Sequence, residues 1–300
     1  MTSAMPLPLS FQIGARTMFS VKRRLARIGL SLDDALEAKA IDLPPLTSLD
    51  HGYLVTSLPD ANVEAVTRQF PDMLAVIRQR YTRRYADLSG SFDDYLATFS
   101  GKSRSTIRRK CRKLAKLSGG ELDIRSYRTP AEIAEFQELA RRVSAKTYQE
   151  KLLDAGLPDD PEDKAEMLRL AARGEACGWL LFVDGTPVSY LYAPNEGGTL
   201  IYAYLGYDPE WGRHSPGTVL QIEVMQQVIE EGRFKRFDFT EGDGQHKRQF
   251  ATGGVECADL LLLRRTLGNQ ILATALVSFD RCADFAKGLG FGKWMRRLTR

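Results

Sequence analysis

The segment from residue 179 to residue 239 constrains the fold most, because short apolar runs alternate there with strong turn signals. The run Trp179 to Val183 ends at Asp184-Gly185, a dipeptide that favours a two-residue hairpin turn. Two more apolar runs, Val188 to Ala193 and Thr199 to Tyr207, follow it. We therefore expect a meander of three antiparallel strands in this part of the chain.

One helix interrupts this series of strands. Ser215 and Pro216 are the residue types of an N-cap and a first helical position, and Gly232 is typical of a helix end. Further strands are predicted at Arg233 to Phe239 and at Val255 to Arg264. Strands gathered around one helix, after a helical stretch, indicate an α+β fold.

The helical stretch that precedes these strands is marked by apolar spacing and by capping residues. Ile107, Cys111 and Leu114 are spaced by four and three, so they share one helical face and basic residues cover the rest. Thr129 and Asp160 each precede a proline and begin two further predicted helices.

The two ends of the chain carry weaker patterns. Phe19 to Ile28 has the spacing of a basic amphipathic helix, and Gly52 to Leu58 that of a short strand. Ser91 begins the capping box of a short helix. From Gly268 onward the chain is predicted to be helical, and it ends in the basic segment Lys293 to Arg300.

Composition limits the class of protein. The four cysteines are scattered without Cys-x-x-Cys spacing, which suits reduced thiols, and the three dispersed histidines give a metal site no ligand set. No stretch approaches the roughly 18 apolar residues of a membrane-spanning helix. The N-terminus has prolines where a secretory apolar core would lie, so we expect a cytoplasmic protein.

Positive charge is concentrated in one helix. The net charge is only +4, but no acidic residue lies between Asp94 and Glu121. A positive surface of this density attracts anions such as a phosphate-bearing cofactor, an anionic lipid or a nucleic acid. Its basic residues are Lys102, Arg104, Arg108, Arg109, Lys110, Arg112, Lys113 and Lys116.

Two segments could carry chemistry. Arg213 to Thr218 joins a strand to a helix, and a helix start with a glycine offers backbone N–H groups to a pyrophosphate. The competing interpretation is a well-capped helix after a turn. Asp238, Glu241 and Asp243 precede His246-Lys247, which places acid, base and cation within ten residues, although a solvated polar loop has the same composition.

The segment from Ser103 to about Ala251 resembles a branch of the GNAT acyltransferase superfamily related to the Fem peptidoglycan aminoacyltransferases, described as CelD/BcsL-like or BioF2-like. The order and spacing of the matching pieces make the resemblance specific. They are the basic helix at 105–114, the hairpin Asp184-Gly185-Thr-Pro-Val-Ser, Gly206-Tyr-Asp, Ser215-Pro-Gly-Thr218, and Asp238-Phe-Thr-Glu-Gly-Asp243 followed by Lys247.

The resemblance implies a GNAT-like fold, which Fem-type proteins duplicate. Residues 1–100 would then be a degenerate first copy or a cap, residues 101–265 the acyltransferase domain, and residues 266–300 a basic helical tail. It also implies an acyl-coenzyme A donor whose pantetheine arm lies between splayed strands at Thr199 to Tyr207 and Arg233 to Phe239.

The resemblance further implies site residues on both sides of the reaction. Its pyrophosphate-binding positions correspond to Arg213, Ser215, Pro216, Gly217 and Thr218, although Pro216 and Thr218 replace the usual glycine and small residue. The family's Tyr-Lys pair is His246-Lys247 here. His246 is the candidate general base, with Asp238, Glu241 and Asp243 as acidic neighbours, and Lys247, Tyr202 and Tyr204 are candidate substrate contacts.

The predicted function is transfer of an acyl group from an acyl-CoA thioester to an amine of a cell-envelope or exopolysaccharide precursor, such as an amino sugar. A lipid amine acceptor is an alternative, with the basic residues holding the protein at the inner face of an anionic membrane. An aminoacyl-tRNA donor is another. The alternative from a different class is a nucleic-acid-binding protein that uses helix 102–116, although no specific nucleic acid is expected.

Overall fold

The computed structural model describes residues 4–13, 16–147, 156–242 and 244–288. The strands are β1 (Met5–Ile13), β2 (Arg16–Gly29), β3 (Gly52–Pro59), β4 (Met73–Asp87), β5 (Asp123–Tyr127), β6 (Gly178–Val183), β7 (Thr186–Tyr192), β8 (Asn195–Glu196), β9 (Thr199–Ile201), β10 (Tyr204–Tyr207), β11 (Arg236–Asp238) and β12 (Gly253–Arg264). The α-helices are α1 (Leu32–Leu36), α2 (Val63–Gln69), α3 (Phe92–Ala97), α4 (Gly101–Leu117), α5 (Pro130–Ser144), α6 (Pro161–Ala172), α7 (Pro216–Glu231), α8 (Gln245–Phe250) and α9 (Leu267–Gly288).

The chain forms two compact units, one of residues 1–82 with 255–300 and the other of residues 83–254. These limits differ from the predicted domain limits at 100 and 265. That the N-terminal part is a degenerate copy of the fold stays a prediction. The predicted basic end of the tail, residues 293–300, lies outside the described residues.

The first unit is built on a sheet in which β1 pairs antiparallel with β2, β2 parallel with β3, and β3 antiparallel with β12. The predicted strand at Gly52 to Leu58 is confirmed, but the predicted helix at Phe19 to Ile28 is wrong, because this segment lies within β2. Its apolar residues alternate: Leu25 packs in one core cluster and Ala26 in another. Val21 and Leu25 lie on one face of the strand, and Ala26 and Ile28 lie on the other, so the apolar residues change face along the segment and their spacing resembles that of a helix.

The second unit contains the predicted meander. In its four-stranded antiparallel sheet the strands follow the order β10-β7-β6-β5. The hairpin at Asp184-Gly185 is confirmed, and both residues have the positive φ that such a turn requires. Successive residues of β6 pack on opposite sides: Trp179 lies in the cluster with α7, and Leu180 in the cluster with α5. The sheet is therefore covered by helices on both faces.

The helices predicted after Ser91, around Ile107 to Leu114, after Thr129, after Asp160 and between Ser215 and Gly232 are confirmed. Ser91 and Thr129 both form complete capping boxes, at the starts of α3 and α5. Asp160 caps α6, and Gly232 ends α7 in the left-handed conformation. Among the described residues no helix is both long enough and apolar enough to cross a membrane.

The strand predicted at Thr199 to Tyr207 is divided between two sheets. Its first part, β9, pairs in parallel with β11, whereas β10 pairs with β7 in the meander. The division falls between adjacent residues: the N–H of Tyr202 donates to the carbonyl oxygen of Asp238 at 2.8 Å, and that of Ala203 to Tyr192 at 3.2 Å. The chain therefore parts from β11 after residue 202, which leaves space beside β10.

Candidate active site

The start of helix α7 is the centre of the candidate site. Ser215 occupies the predicted N-cap position, but its backbone is left-handed (φ 55°, ψ 51°) and, within the described chain, its side chain makes no capping hydrogen bond. Pro216 has no N–H, so Gly217 carries the first backbone donor of the helix. The N–H groups of Thr218 and Val219 donate to the carbonyl oxygen of Ser215, so among the described residues that of Gly217 is the one open at the positive end of the helix dipole, where a phosphate can bind.

Two cations lie near this helix start. The Nε atom of Arg213 donates a hydrogen bond to Nε2 of His214 over 2.9 Å. Burial of His214, together with the charges of Lys113 and Arg213, lowers the pKa of its imidazole. Lys113 belongs to the basic helix α4. The predicted basic helix thus contributes positive charge close to the first turn of α7.

Gly217 allows close approach between α7 and β10. A Cβ atom built on Gly217 would lie 3.1 Å from Cδ2 of Leu205 and 3.4 Å from Cδ1 of Tyr207. The first of these distances is shorter than ordinary van der Waals contact, so any side chain at this position would push against the β10 residues. Glycine therefore keeps the space beside the helix start open.

A cavity of about 230 Å³ lies where this helix start faces the parted strands. It brings together three of the predicted segments: the first turn of α7, the tyrosine-bearing strand and the helix that carries His246. Its lining residues are Tyr202, Leu205, Tyr207, Gly217, Thr218, Gln221, His246 and Phe250.

Gln221 is the most unusual of these lining residues. Its side chain is 3% exposed, and neither the nitrogen nor the oxygen of its amide has a hydrogen-bond partner among the described residues. Buried polar groups are almost always paired, so an unpaired amide beside a cavity indicates a group that a ligand completes. Sequence reasoning missed this residue. The available signal was a polar residue between the apolar Leu220 and Ile222 in the helix.

His246 lies against Tyr202, with the ring centroids 5.8 Å apart and the planes tilted by 37°. The surrounding protein lowers the pKa of His246 by desolvation, and the positive charge of Lys247 acts in the same direction. The imidazole is therefore neutral at pH 7 and able to accept a proton. Burial raises the pKa of Tyr202, which keeps its phenol protonated.

The side chain of Lys247 is bonded to the backbone of Glu241. The Nζ atom of Lys247 donates a hydrogen bond to the carbonyl oxygen of Glu241, and this contact holds the loop against the start of α8. Burial lowers the pKa of Lys247, although the charges of Glu241 and Asp238 act in the opposite direction. Glu241 itself is exposed.

Asp238 is fully buried, and its carboxylate forms an ion pair with Arg83, with 2.5 Å between Nη2 and Oδ2. Its other oxygen also accepts the N–H of Thr240 over 2.8 Å. These contacts fix the Asp238 carboxylate at the end of β11, and a catalytic role for Asp238 stays a prediction. Of the other acids predicted beside His246, Asp243 lies outside the described residues.

Tyr202 and Tyr204 do not share a face, contrary to the expectation for one continuous strand. Tyr202 packs with Phe237 and Phe239, whereas Tyr204 stacks on Tyr192 at 6.5 Å between ring centroids. The physical reason is the division of this segment between two sheets. Tyr202 therefore contacts the cavity, and a substrate-binding role for Tyr204 stays a prediction.

A larger groove of about 720 Å³ runs along α4 and α7. Arg104, Arg108 and Arg112 line it with positive charge, and Glu223 and Cys111 lie within it. Burial is the main reason that the pKa of Glu223 is raised. In the described parts of the chain, no three potential metal-ligating side chains are grouped together.

The fold and this cavity define a class. Two strands that part after residue 202, with an open helix start beside them, are the features that the resemblance to GNAT-type transferases implied. The structure of FemX is similar at a TM-score of 0.52 and 12% identity, covering 91% of this chain and 90% of that chain. Two other structures are similar at a TM-score of 0.50. One is the C-terminal DUF2156 domain of an Agrobacterium fabrum protein, at 12% identity, covering 75% of this chain and 72% of that chain. The other is a conserved protein from Bacteroides thetaiotaomicron, at 13% identity, covering 77% of this chain and 73% of that chain.

Residues 101–248 match the family described as acetyltransferase (GNAT) domain, and this part of the chain is a GNAT domain of the CelD/BcsL-like branch. The predicted family and the predicted GNAT-like fold are thereby confirmed. The chain is an acyltransferase. No curated protein matches its sequence.

Proposed function

We propose that this acyltransferase moves an acyl group from an acyl-CoA thioester to an amine of a cell-envelope or exopolysaccharide precursor, such as an amino sugar. The observation that carries the proposal is the cavity between the start of α7 and the parted strands, with a neutral histidine on its wall. It offers an anion-binding end and a proton-accepting group in one small space.

The donor side rests on the helix start. Gly217 and Thr218 line the cavity, and Arg213 and Lys113 lie nearby, so a pyrophosphate would meet the backbone N–H of Gly217 and positive charge together. Parted strands give a narrow arm room to enter between them. These features fit an acyl-CoA donor, whose thioester carbonyl the amine attacks and whose coenzyme A thiol leaves.

The acceptor side rests on His246. In the reaction, the amine nitrogen bonds to the thioester carbonyl carbon, the C–S bond breaks, and the amine gives up one proton while the leaving sulfur gains one. The neutral imidazole of His246 accepts the amine proton. The protonated phenol of Tyr202, in contact with that ring, is placed to donate a hydrogen bond in the same space.

The charge around the acceptor side favours an amine that also carries an anionic group. Lys247 is half-buried beside His246 and retains donors beyond the one used on Glu241, since an ammonium group has three. A phosphate or carboxylate on the acceptor would pair with it. Precursors built on sugar phosphates have this combination of amine and anion.

Thermal melting with free coenzyme A, followed by an assay of thiol release, tests the proposal. Ligand at 100 times its Kd stabilises a protein by about 2.7 kcal/mol, hence by several degrees in Tm. Thiol release from acetyl-CoA is then measured with an amino sugar phosphate, the neutral amino sugar and a sphingoid base. We expect the first to react fastest. A preference for the sphingoid base would refute the acceptor class, and no Tm shift with any coenzyme A compound would refute the donor.

A further inference from the structure

We propose that Gln221 is a binding site for an amide group in the arm of the donor, so that the enzyme recognises the donor through a side chain as well as through the helix start. This inference rests on the proposed function, because it says which part of an acyl-CoA donor binds to the cavity. It concerns a residue that lies beyond the phosphate-binding turn.

The first step of the argument is burial. Gln221 is 3% exposed and lines the cavity, and both polar atoms of its amide lack a partner among the described residues. A buried amide that stays unpaired destabilises the folded protein. Glutamine at this position therefore lowers the stability of the ligand-free protein. Leucine, which occurs at the neighbouring position 220, would not have this effect.

The second step is the chemistry of the missing partner. The Gln221 side chain offers one hydrogen-bond acceptor and two donors. A secondary amide offers the complementary pair, a C=O and an N–H, and can bond both ends of the side chain. A phosphate would satisfy only the donor end and a hydrocarbon chain neither. The other lining side chains include Tyr202, Leu205 and Phe250, which suit the methylene groups on either side of an amide.

The third step is distance. Gln221 follows Gly217 by one helical turn and lies on the same side of α7, about 6 Å further along the helix at 1.5 Å per residue. The arm of coenzyme A carries its first amide a few bonds beyond the phosphate, followed by a second amide and the thiol. A pyrophosphate bound at the helix start would therefore bring the first amide to Gln221.

The test combines a volume-matched variant with a shortened donor. Gln221→Met removes the amide and keeps the length of the side chain. We expect its Tm without ligand to equal or exceed that of the wild type, and its Kd for coenzyme A to rise about tenfold, the loss of roughly 1.4 kcal/mol. Gln226→Leu is the control on the same helix, since its amide already bonds Glu230 on the surface. It should leave Kd unchanged.

The shortened donor identifies the atom that is recognised. The acetyl thioester of N-acetylcysteamine keeps the second amide and lacks the first amide and the phosphates. Gln221→Met should lower kcat/KM for acetyl-CoA about tenfold and leave kcat/KM for the short thioester within twofold. Equal losses with both donors, or no loss with either, would refute the Gln221 site.

Two further results would separate a failure of this inference from a failure of the proposed function. If Gln221→Met lowers the Tm without ligand, the amide supports the fold, and Gln221→Leu should show the same loss; the inference is then wrong. If coenzyme A fails to raise the Tm of the wild type, both the proposed function and this inference are wrong.

Discussion

The ring of His246 lies 5.8 Å from the ring of Tyr202, and this contact joins helix α8 to the residue at which two sheets part. Tyr202 is the last residue of its segment to bond with β11, through Asp238. A residue of helix α8 and a residue between β9 and β10 thus form one wall of the cavity. His246 could therefore act by accepting a proton or only by packing its ring against Tyr202, and two variants separate these roles.

The first prediction concerns His246 itself. His246→Ala removes both the ring and the base, whereas His246→Phe keeps a ring against Tyr202 and removes only the base. If the imidazole accepts the amine proton, both variants should lower kcat by about 100-fold or more, within the usual range for a general base. Full activity in His246→Phe would show that the ring acts only by packing.

The pH dependence of the wild type follows from the direction of the pKa shift. Desolvation and Lys247 lower the pKa of His246 below the ordinary 6.5, so the imidazole is neutral above that value and becomes protonated only at lower pH. Plots of kcat/KM against pH should therefore fall on the acid side, with a midpoint below 6.5. A midpoint above 6.5 would contradict the assignment of this limb to His246.

The second prediction concerns Gly217. Gly217→Val would place side-chain atoms against Leu205 and Tyr207 beside the cavity, so we expect the KM for acyl-CoA to rise at least tenfold. Gly268→Val is the matched control, because Gly268 is also the second residue of its helix and no described atom lies within 4 Å of its Cβ position. An unchanged KM in Gly217→Val would mean that the pyrophosphate binds elsewhere.

The third prediction concerns the buried ion pair. Asp238→Asn removes the buried carboxylate charge that pairs with Arg83, and breaking a buried ion pair by removing one partner costs about 3–5 kcal/mol. Asp123→Asn is the control: its pair with Arg125 is exposed on both sides and should contribute less than about 1 kcal/mol. Urea unfolding measures both. If both variants lost the same free energy of unfolding, Asp238 would have no special structural role.

The fourth prediction concerns Cys111, which lies in the basic groove. Burial and the neighbouring Glu223 carboxylate raise the pKa of its thiol to about 12, so almost no thiolate is present at pH 8. Iodoacetamide should therefore modify the exposed Cys282 first and leave Cys111 intact, as peptide mass analysis would show. Glu223→Gln removes the carboxylate and should increase the rate at Cys111. Rapid modification of Cys111 in the wild type would show that the pKa of its thiol is not raised.

Local sequence signals determined much of the fold. The capping boxes at Ser91 and Thr129, the Asp184-Gly185 turn and the left-handed Gly232 each depend on residues within one turn of chain, which is why they could be predicted. The segment at Phe19 to Ile28 could not, because its apolar residues change from one face of the strand to the other and so lack the regular alternation that marks a strand with one buried face.

The candidate site shows the same division. Residue types alone indicated the helix start at Ser215 to Thr218 and the polar segment ending in His246-Lys247. Only the tertiary structure decided that His246 meets Tyr202, that Asp238 is bound to Arg83, and that Gln221 is buried without a partner. These outcomes depend on the parting of two strands after residue 202, which places Tyr202 and Tyr204 in different clusters. Pairing between strands distant in sequence sets that geometry, and no short pattern of residues encodes it.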